Sequence, residues 1–367
     1  MNPTQKLSLV KFAPKNPAGF FDTLKERIDV YFKENKLEMH GDTSMKWKTV
    51  VMVAMYLLPY FFVVTGFAAS NLLLFYGAWI LMGIGMVGIG CSVMHDSNHD
   101  SYSGNKTLNK SLGKIMLLVG GYDANWRIQH NILHHTYTNI DGLDHDIDAG
   151  VLLRFSHSQK KYGFHKYQHL YAWFLYGLMT LMWSTTKDFK QVIEYNKLDL
   201  LKKEKLTLKK AMTQLIFFKS LYYIYILVLP LLFSGVPWYH VILGYVAMHF
   251  LAGLALSCIF QLAHVMEDCE FPVPSDNRKM SNSWAIHQLL NTANFSPKSR
   301  IMNWFIGGLN RQIEHHLFPY ICHVHYKKLA PIVKTTAQEF GLPYYEQKTF
   351  VAALVEHGKM LKKLGNS

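Results

Sequence analysis

Histidines concentrated in three short clusters are the residues of this chain best suited to carry chemistry. The chain has 19 histidines in 367 residues. The clusters read His-Asp-Ser-Asn-His at 95–99, His-Asn-Ile-Leu-His-His at 130–135 and Gln-Ile-Glu-His-His at 312–316. Imidazole is a good ligand for iron, copper, zinc and nickel. The three clusters therefore predict a transition-metal site, although any one of these histidines alone would be read as an ordinary polar residue.

The spacing within the clusters favours shared metal ions. Residues i and i+4 of an α-helix lie on the same face, so His95 can bind one centre together with His99. His130 can do the same with His134, while His135 points to a neighbouring sector. Converging clusters would supply seven imidazoles, which is more than one mononuclear site uses and predicts two metals.

Two long segments without charged residues are the elements that must position these clusters. Residues 49–94 and 220–266 contain no Asp, Glu, Lys or Arg. Each segment is about twice the ~20 residues that a helix needs to cross the hydrocarbon core of a membrane. Each also has a turn signal near its middle, at 66–71 and at 234–237. The pattern predicts four transmembrane helices arranged as two hairpins.

Apolar periodicity defines the remaining elements. It predicts an amphipathic helix over 20–40 and short apolar segments at 112–122 and 168–183 that lie at the membrane surface. The segment at 168–183 would be a fifth span in an alternative topology, but the basic residues of 186–219 and of the tail would then lie on opposite sides. The four spans are predicted at 49–66, 72–94, 212–233 and 238–263.

Basic residues predict the orientation of the chain in the membrane. All 38 Lys and Arg lie outside the two charge-free segments. Positive residues stay on the cytoplasmic side, so both termini should be cytoplasmic, in a bacterial inner membrane or the endoplasmic reticulum. The net charge of +13 predicts attraction to anionic lipid headgroups and to an acidic redox partner. No segment resembles a nucleic-acid-binding module.

These features predict an all-α membrane protein in which a cytoplasmic helical cap holds the metal site. The chain divides into five regions. They are an N-terminal cytoplasmic segment at 1–48, the first hairpin at 49–94, a cytoplasmic region with two histidine clusters at 95–211, the second hairpin at 212–264, and a C-terminal cytoplasmic region with the third cluster at 265–367.

The three clusters, in this order, resemble those of the membrane fatty-acid desaturases and their hydroxylase relatives. The third cluster continues as Gln-Ile-Glu-His-His-Leu-Phe-Pro at 312–319, and the flanking sequences Trp126-Arg127 and Gly307-Gly308-Leu309-Asn310 match as well. The resemblance extends over about residues 50–330. In the third cluster, Gln312 takes the place of a first histidine. In this feature the chain resembles the branch that contains front-end and linoleoyl-CoA-type desaturases. The resemblance implies an oxidoreductase that introduces a cis double bond into a fatty acyl chain.

The resemblance also implies two iron ions, with O₂ as co-substrate and almost only histidine ligands. Gln312 departs from that pattern and is expected to be a weak ligand, a water-mediated ligand or none. Asp96, Asp144 and Glu314 are predicted to be carboxylates that fix imidazole tautomers. The implied ligands are His95, His99, His130, His134, His135, His315 and His316, joined by His264 at the end of the fourth span.

The partners follow from the same resemblance. No His-Pro-Gly-Gly haem motif occurs in the sequence, so a separate electron donor, of ferredoxin or cytochrome b5 type, is expected. The resemblance implies an acyl-chain substrate, carried by CoA or by a membrane lipid. Two alternatives remain open: a di-iron hydroxylase of the same superfamily, and a histidine-rich membrane metal transporter. Transport sites usually lie near the bilayer midplane, whereas these clusters follow the ends of spans.

Two features inside the predicted spans are interpreted as structural. The sequence Gly-Ile-Gly-Met-Val-Gly at 83–88 fits the G-x-G-x-x-G pattern of dinucleotide sites, but it lies within a span and not after a strand. It is therefore predicted to serve close helix packing. His249, in the middle of the fourth span, is predicted to be hydrogen-bonded within the helix bundle.

Overall fold

The computed structural model describes residues 10–14 and 19–367, and helices make up most of it. The first described helix, α1 (Phe20–Asn35), ends where Lys36 adopts a left-handed conformation with φ of 51°, so it is shorter than the helix predicted over 20–40. The helix is amphipathic, as predicted, and its apolar stripe packs on the C-terminal part of the chain. The buried side chains of this stripe are Phe20, Leu24, Ile28 and Phe32.

Two apolar helices, α2 (Thr43–Val64) and α3 (Leu72–Asn98), form the first hairpin. The carboxylate of Asp42 accepts a hydrogen bond from the backbone N–H of Ser44 at 2.9 Å. This N-cap starts α2 several residues before the predicted position 49. α3 also runs beyond the predicted end at 94, and its Ile89–Met94 part is a π-helix. The first histidine cluster, apart from His99, is therefore part of the spanning helix itself.

Glycines on α3 allow its neighbours to approach closely. A Cβ atom on Gly83 would lie 2.9 Å from the carbonyl oxygen of Met248. A Cβ atom on Gly85 would lie 2.8 Å from the backbone nitrogen of Tyr56. Side chains at both positions would push the helices apart, so the glycine pattern at 83–88 serves helix packing, as predicted.

The region after the first hairpin is built from short helices. Helix α4 (Lys106–Gly113) continues into a 3-10 turn, Lys114–Val119. Helix α5 consists of three consecutive segments, Asp123–Trp126, Arg127–His134 and His135–Tyr137, and the middle segment is a π-helix. The second histidine cluster thus lies on a π-helix, whose hydrogen bonds run from i to i+5.

A chain of helices then leads to the second hairpin. Among the described residues, only four helices are long and apolar enough to cross a membrane, and neither segment predicted at the membrane surface belongs to them. The elements are a 3-10 turn at Gly163–Tyr167, helix α6 (Gln168–Gly177), helix α7 with its parts Met179–Met182, Trp183–Lys187 and Asp188–Lys197, and a 3-10 turn at Leu200–Glu204.

The second hairpin consists of α8 (Leu208–Phe233) and α9 (Trp238–His264), so the prediction of four spans in two hairpins is confirmed. The tips of the two hairpins touch, because a Cβ atom on Gly66 would lie 3.3 Å from the carbonyl oxygen of Phe233 and 3.4 Å from that of Ser234. The histidine-bearing ends of α3 and α9 lie at the opposite end of the bundle from these tips. The two hairpins therefore deliver their histidines to one side.

The C-terminal region places the third histidine cluster against the first hairpin. Gly307 has a φ of 61°, and a Cβ atom there would collide with the carbonyl oxygen of Cys91 on α3. A small parallel sheet, with Asn294 opposite Glu346, was not predicted. The elements are α10 (Trp284–Leu290), β1 (Ala293–Phe295), α11 (Arg300–Phe305), α12 (Gln312–Leu317), α13 (Tyr326–Glu339), β2 (Tyr345–Gln347) and α14 (Phe350–Asn366).

Candidate metal centre

Eight histidines meet at one end of the helix bundle. Two of them belong to α3 and the residue after it, one ends α9, three belong to α5 and two to α12. All are at most 5% exposed except His99, which is half-buried. The structure thus brings together all the residues implied as ligands, which are His95, His99, His130, His134, His135, His264, His315 and His316.

The eight imidazoles form two groups with one ring between them. Within each group the possible ligand atoms lie within 4.8 Å of one another. His135 stands between the groups, since its Nε2 is 3.0 Å from Nε2 of His315 and its ring centroid is 4.5 Å from that of His316. The first group contains His95, His99, His130 and His315, and the second contains His134, His264 and His316.

The second cluster contributes to both groups. His130 belongs to the first group and His134 to the second, but possible ligand atoms of these two residues also lie within 4.8 Å of one another and of Asp146, so their expected sharing of one centre stays a prediction. The segment is a π-helix, in which residues five apart come closer in register than in an α-helix. Nε2 of His130 accordingly lies 3.3 Å from Nε2 of His135.

Two carboxylates contact Nδ1 atoms of imidazoles on α5. Both oxygens of Asp144 lie 3.0 Å from Nδ1 of His134, as expected for a carboxylate that fixes a tautomer. Asp146, which the sequence reasoning missed, lies 2.8 Å from Nδ1 of His130 through its Oδ2. Because a carboxylate only accepts, both rings carry their proton on Nδ1 and leave Nε2 free for a metal.

Three further rings are held through Nδ1 by neutral groups. Nδ1 of His264 lies 3.2 Å from the carbonyl oxygen of Asn291 on the loop after α10. The other two contacts join Nδ1 of His316 to Oε1 of Gln288 at 2.7 Å, and Nδ1 of His315 to the hydroxyl of Tyr326 at 3.2 Å. Gln288 and Tyr326 were not foreseen, because neither lies near a histidine cluster in the sequence.

The other two predicted carboxylates behave differently from each other. Asp96 faces Nδ1 of His95 at 3.6 Å through Oδ1. Glu314 contacts no imidazole among the residues that the structure describes, which corrects its expected role. Its oxygens accept hydrogen bonds from Asn294 at 2.9 Å and from the hydroxyl of Tyr344 at 2.8 Å. Burial raises the pKa of Glu314 to about 7.

Several ring nitrogens of the cluster lack any protein partner. Nε2 of His95, His99 and His316 is buried without a hydrogen bond to any described residue, and so is Nε2 of His264. Buried polar atoms normally find a partner, and an exception points to a missing group such as an ion. His264 and His316 combine a held Nδ1 with a bare Nε2. Bare imidazole nitrogens gathered in one place are the donor set that metal ions require, so these residues fit a metal.

The protonation of the cluster agrees with metal binding. Burial lowers the pKa of His135, His315 and His316 well below its usual value, and neighbouring imidazoles lower it further. Metal ligation needs neutral imidazole. These three imidazoles are therefore neutral, as metal ligands must be. The pKa of His134 is instead raised, because the carboxylates of Asp144 and Asp146 outweigh the effect of burial. The amide of Gln312 is also buried here, and its nitrogen has no hydrogen-bond partner among the described residues.

Comparisons with known proteins agree with this geometry. The model of the family described as fatty acid desaturase matches residues 69–348. The sn-1 linoleoyl-lipid 6-desaturase of Arthrospira platensis is 34% identical over 350 residues, which cover 94% of this chain and 92% of that protein. Its namesake from Synechocystis sp. is 34% identical and covers 98% of both chains. The acyl-lipid (8-3)-desaturase of Physcomitrium patens is 35% identical over 98% of this chain and 74% of its own length. The chain belongs to the fatty acid desaturase family.

Proposed function

We propose that this desaturase introduces a cis double bond into an acyl chain carried by a membrane glycerolipid. The lipid carrier is inferred from the three relatives described above, all of which are named as lipid desaturases. The observation that carries the chemistry is the convergence of eight imidazoles, four of which have an Nε2 atom without a partner among the described residues. That site can hold metal ions, and the number of imidazoles suits two.

The ions that we propose are two irons. The ligands would be the two groups of three and four histidines, with His135 positioned to serve both, while a direct or water-mediated role for Gln312 stays a prediction. Together with O₂ and two electrons from a donor, the irons would supply the oxidising power that removal of hydrogen from an unactivated methylene needs. Asp144 and Asp146 keep the α5 imidazoles oriented throughout.

Two aromatic rings, those of Trp126 and Phe260, contact the imidazoles and also line a narrow apolar cavity. The ring centroid of Trp126 lies 4.5 Å from that of His130 and 5.6 Å from that of His95. Phe260 lies 6.2 Å from His130 on the same side. These rings exclude water from the face of the site where the acyl chain must present its methylenes.

The cavity beside these rings is the proposed acyl site. It measures about 20 Å³, too small for an acyl chain, and three methionines line it: Met86, Met94 and Met116. Methionine side chains are flexible and fill irregular gaps, so they can move aside when the chain enters. Met86 and Met94 lie on α3 eight residues apart, which corresponds to ~12 Å along the helix.

A larger groove of about 750 Å³ serves this role less well. It lies between α9 and α14 and is lined by apolar residues such as Leu254, Cys258 and Leu354. None of its lining residues is a histidine of the metal centre. The narrow cavity, in contrast, includes Trp126, which packs on three of the ligands.

We also propose that the histidine-bearing side is cytoplasmic and receives electrons there. The segment at 197–210 carries six lysines against two acidic residues. Arg127 of α5 forms an ion pair with Glu204 of this segment at 2.6 Å, which keeps the basic surface next to the second histidine cluster. A positively charged surface attracts an acidic partner, so an acidic donor of ferredoxin or cytochrome b5 type is expected to dock there.

Expression of the chain in a host that lacks the product tests this function. Mass spectrometry of lipid-bound and CoA-bound acyl chains should show a new cis double bond first in the glycerolipid fraction. The variant His134→Ala, expressed to the same level, should give none. A product that retains oxygen would indicate a hydroxylase, and a product that appears first in the CoA pool would contradict the lipid carrier.

A further inference from the structure

A second buried polar cluster connects the metal centre to the first spanning helix. Lys48 lies near the start of α2 and is 3% exposed. Its Nζ lies 2.6 Å from Nε2 of His323, and Nδ1 of His323 lies 2.6 Å from Oδ2 of Asp96. The proposed chemistry assigns no role to Lys48 or His323, yet Asp96 is the neighbour of a proposed ligand.

The direction of the hydrogen bonds in this cluster follows from the groups involved. A lysine ammonium has three donors and no acceptor, so Lys48 donates to Nε2 of His323. A neutral imidazole that accepts at one nitrogen carries its proton on the other. His323 therefore donates from Nδ1 to Asp96, whose carboxylate can only accept.

The second oxygen of Asp96 faces the metal centre. Oδ1 lies 3.6 Å from Nδ1 of His95, which is an ion-pair distance slightly longer than a hydrogen bond. Nδ1 of His95 has no hydrogen-bond partner among the residues described. A fixed negative oxygen at this place favours the tautomer with the proton on Nδ1. Nε2 of His95 then presents its lone pair to the first group of histidines.

Burying these polar and charged groups costs free energy, which indicates that they have a specific role. Lys48, Asp96 and His323 are all at most 3% exposed. Well-packed apolar residues often replace a buried charge pair without loss of stability, so stability alone does not require this arrangement. We propose that Lys48 and His323 are positioning residues that hold His95, through Asp96, in the tautomer that binds metal. This inference rests on the proposed metal centre.

Two substitutions of His323 separate hydrogen-bond polarity from packing. In His323→Gln, the amide oxygen can accept from Lys48 and the amide nitrogen can donate to Asp96, whereas His323→Leu allows neither. The measurement is the Fe(II) affinity of the full-length, metal-free protein in detergent, by competition with a chelator. We expect His323→Leu to weaken this affinity by about 10–100-fold and His323→Gln to stay close to the unchanged protein. Equal affinities in all three proteins, or equal losses in both variants, would overturn the proposal.

Lys48 gives an independent test that remains decisive if the leucine variant does not fold. Lys48→Met removes the first donor, and Thr49→Val is its matched control. Thr49 is the next residue on α2, and it bonds to Tyr102 at 2.8 Å and to the backbone of Met45. We expect about tenfold weaker iron binding for Lys48→Met and no change for the control. Identical affinities would overturn the proposal. If the unchanged protein binds no iron, the proposed function itself fails.

Discussion

Two sets of buried histidines in this molecule differ in what their ring nitrogens contact. His249, in the middle of α9, has both nitrogens satisfied. Nε2 lies 2.6 Å from the hydroxyl of Tyr222, and Nδ1 lies 3.1 Å from the hydroxyl of Thr180. At the end of the same helix, His264 has a partner at Nδ1, but its Nε2 has none among the described residues. One helix therefore contains a structural imidazole and a proposed ligand.

The difference between His249 and His264 shows which property of a buried histidine indicates its function. Burial alone does not distinguish the two residues, because His249 is 0% and His264 2% exposed. The complete hydrogen bonding of His249 confirms its predicted structural role. The open Nε2 of His264 is repeated on neighbouring rings that face it, and this repetition is what indicates a metal.

The largest effect is expected when one of the histidines with an unpartnered Nε2 is removed. His316→Ala deletes a member of the second group, and the remaining imidazoles of that group are too few to hold an ion tightly. We expect the loss of at least one iron per chain, measured by elemental analysis, and activity at background. A His316→Ala protein that keeps both irons would show that the rings with open nitrogens are not the ligands.

A smaller effect is expected when a group behind a ring is removed. Asp146→Ala deletes the carboxylate that holds Nδ1 of His130, and such partners are worth about 10–100-fold in metal affinity. Asp148→Ala is the matched control, because within the described part of the chain the Asp148 carboxylate accepts a hydrogen bond locally, from the backbone N–H of Gly150 at 2.8 Å, and none from a histidine of the cluster. Chelator competition should separate the two variants. Equal affinities would mean that Asp146 does not orient the ring.

Substitution of His249, whose two ring nitrogens both have partners, is not expected to change the iron content. His249→Phe removes the ring partner of the Tyr222 hydroxyl and one of two contacts of the Thr180 hydroxyl, which still donates to the backbone carbonyl of residue 249. The free energy of unfolding should fall by about 1–3 kcal/mol. Thermal unfolding in detergent would show the lower stability, while the iron content per folded chain should stay unchanged. Loss of iron from a folded His249→Phe protein would remove the distinction between the two sets.

The sequence allowed much of the membrane part to be predicted. Charge-free segments of about twice the crossing length are rare outside membranes, so the four spans were found nearly at their observed limits. The histidine clusters were found for a similar reason, because their spacing is visible in the sequence. The start of α2 at Thr43 was missed because the cap, Asp42, precedes the apolar run by several residues.

The arrangement of the site could be predicted only in part. The segment Arg127–His134 is a π-helix, which changes which histidines face each other. No residue pattern in the sequence indicated this π-helix. Asp146 was within reach, since Asp144-His145-Asp146 is an acidic pair beside the second cluster. His323 and Lys48 could not be found in this way, because His323 lies 227 positions from Asp96 and Lys48 contacts His323 from another helix.

The iron content of the unchanged full-length protein tests the central claim most directly. The protein would be produced in iron-replete cells, purified in detergent as a folded species and analysed for iron and protein in the same sample. Eight converging imidazoles, in two groups of four and three with His135 between them, predict two irons per chain. One iron per chain, or none after reconstitution with Fe(II) under anaerobic conditions, would contradict the claim.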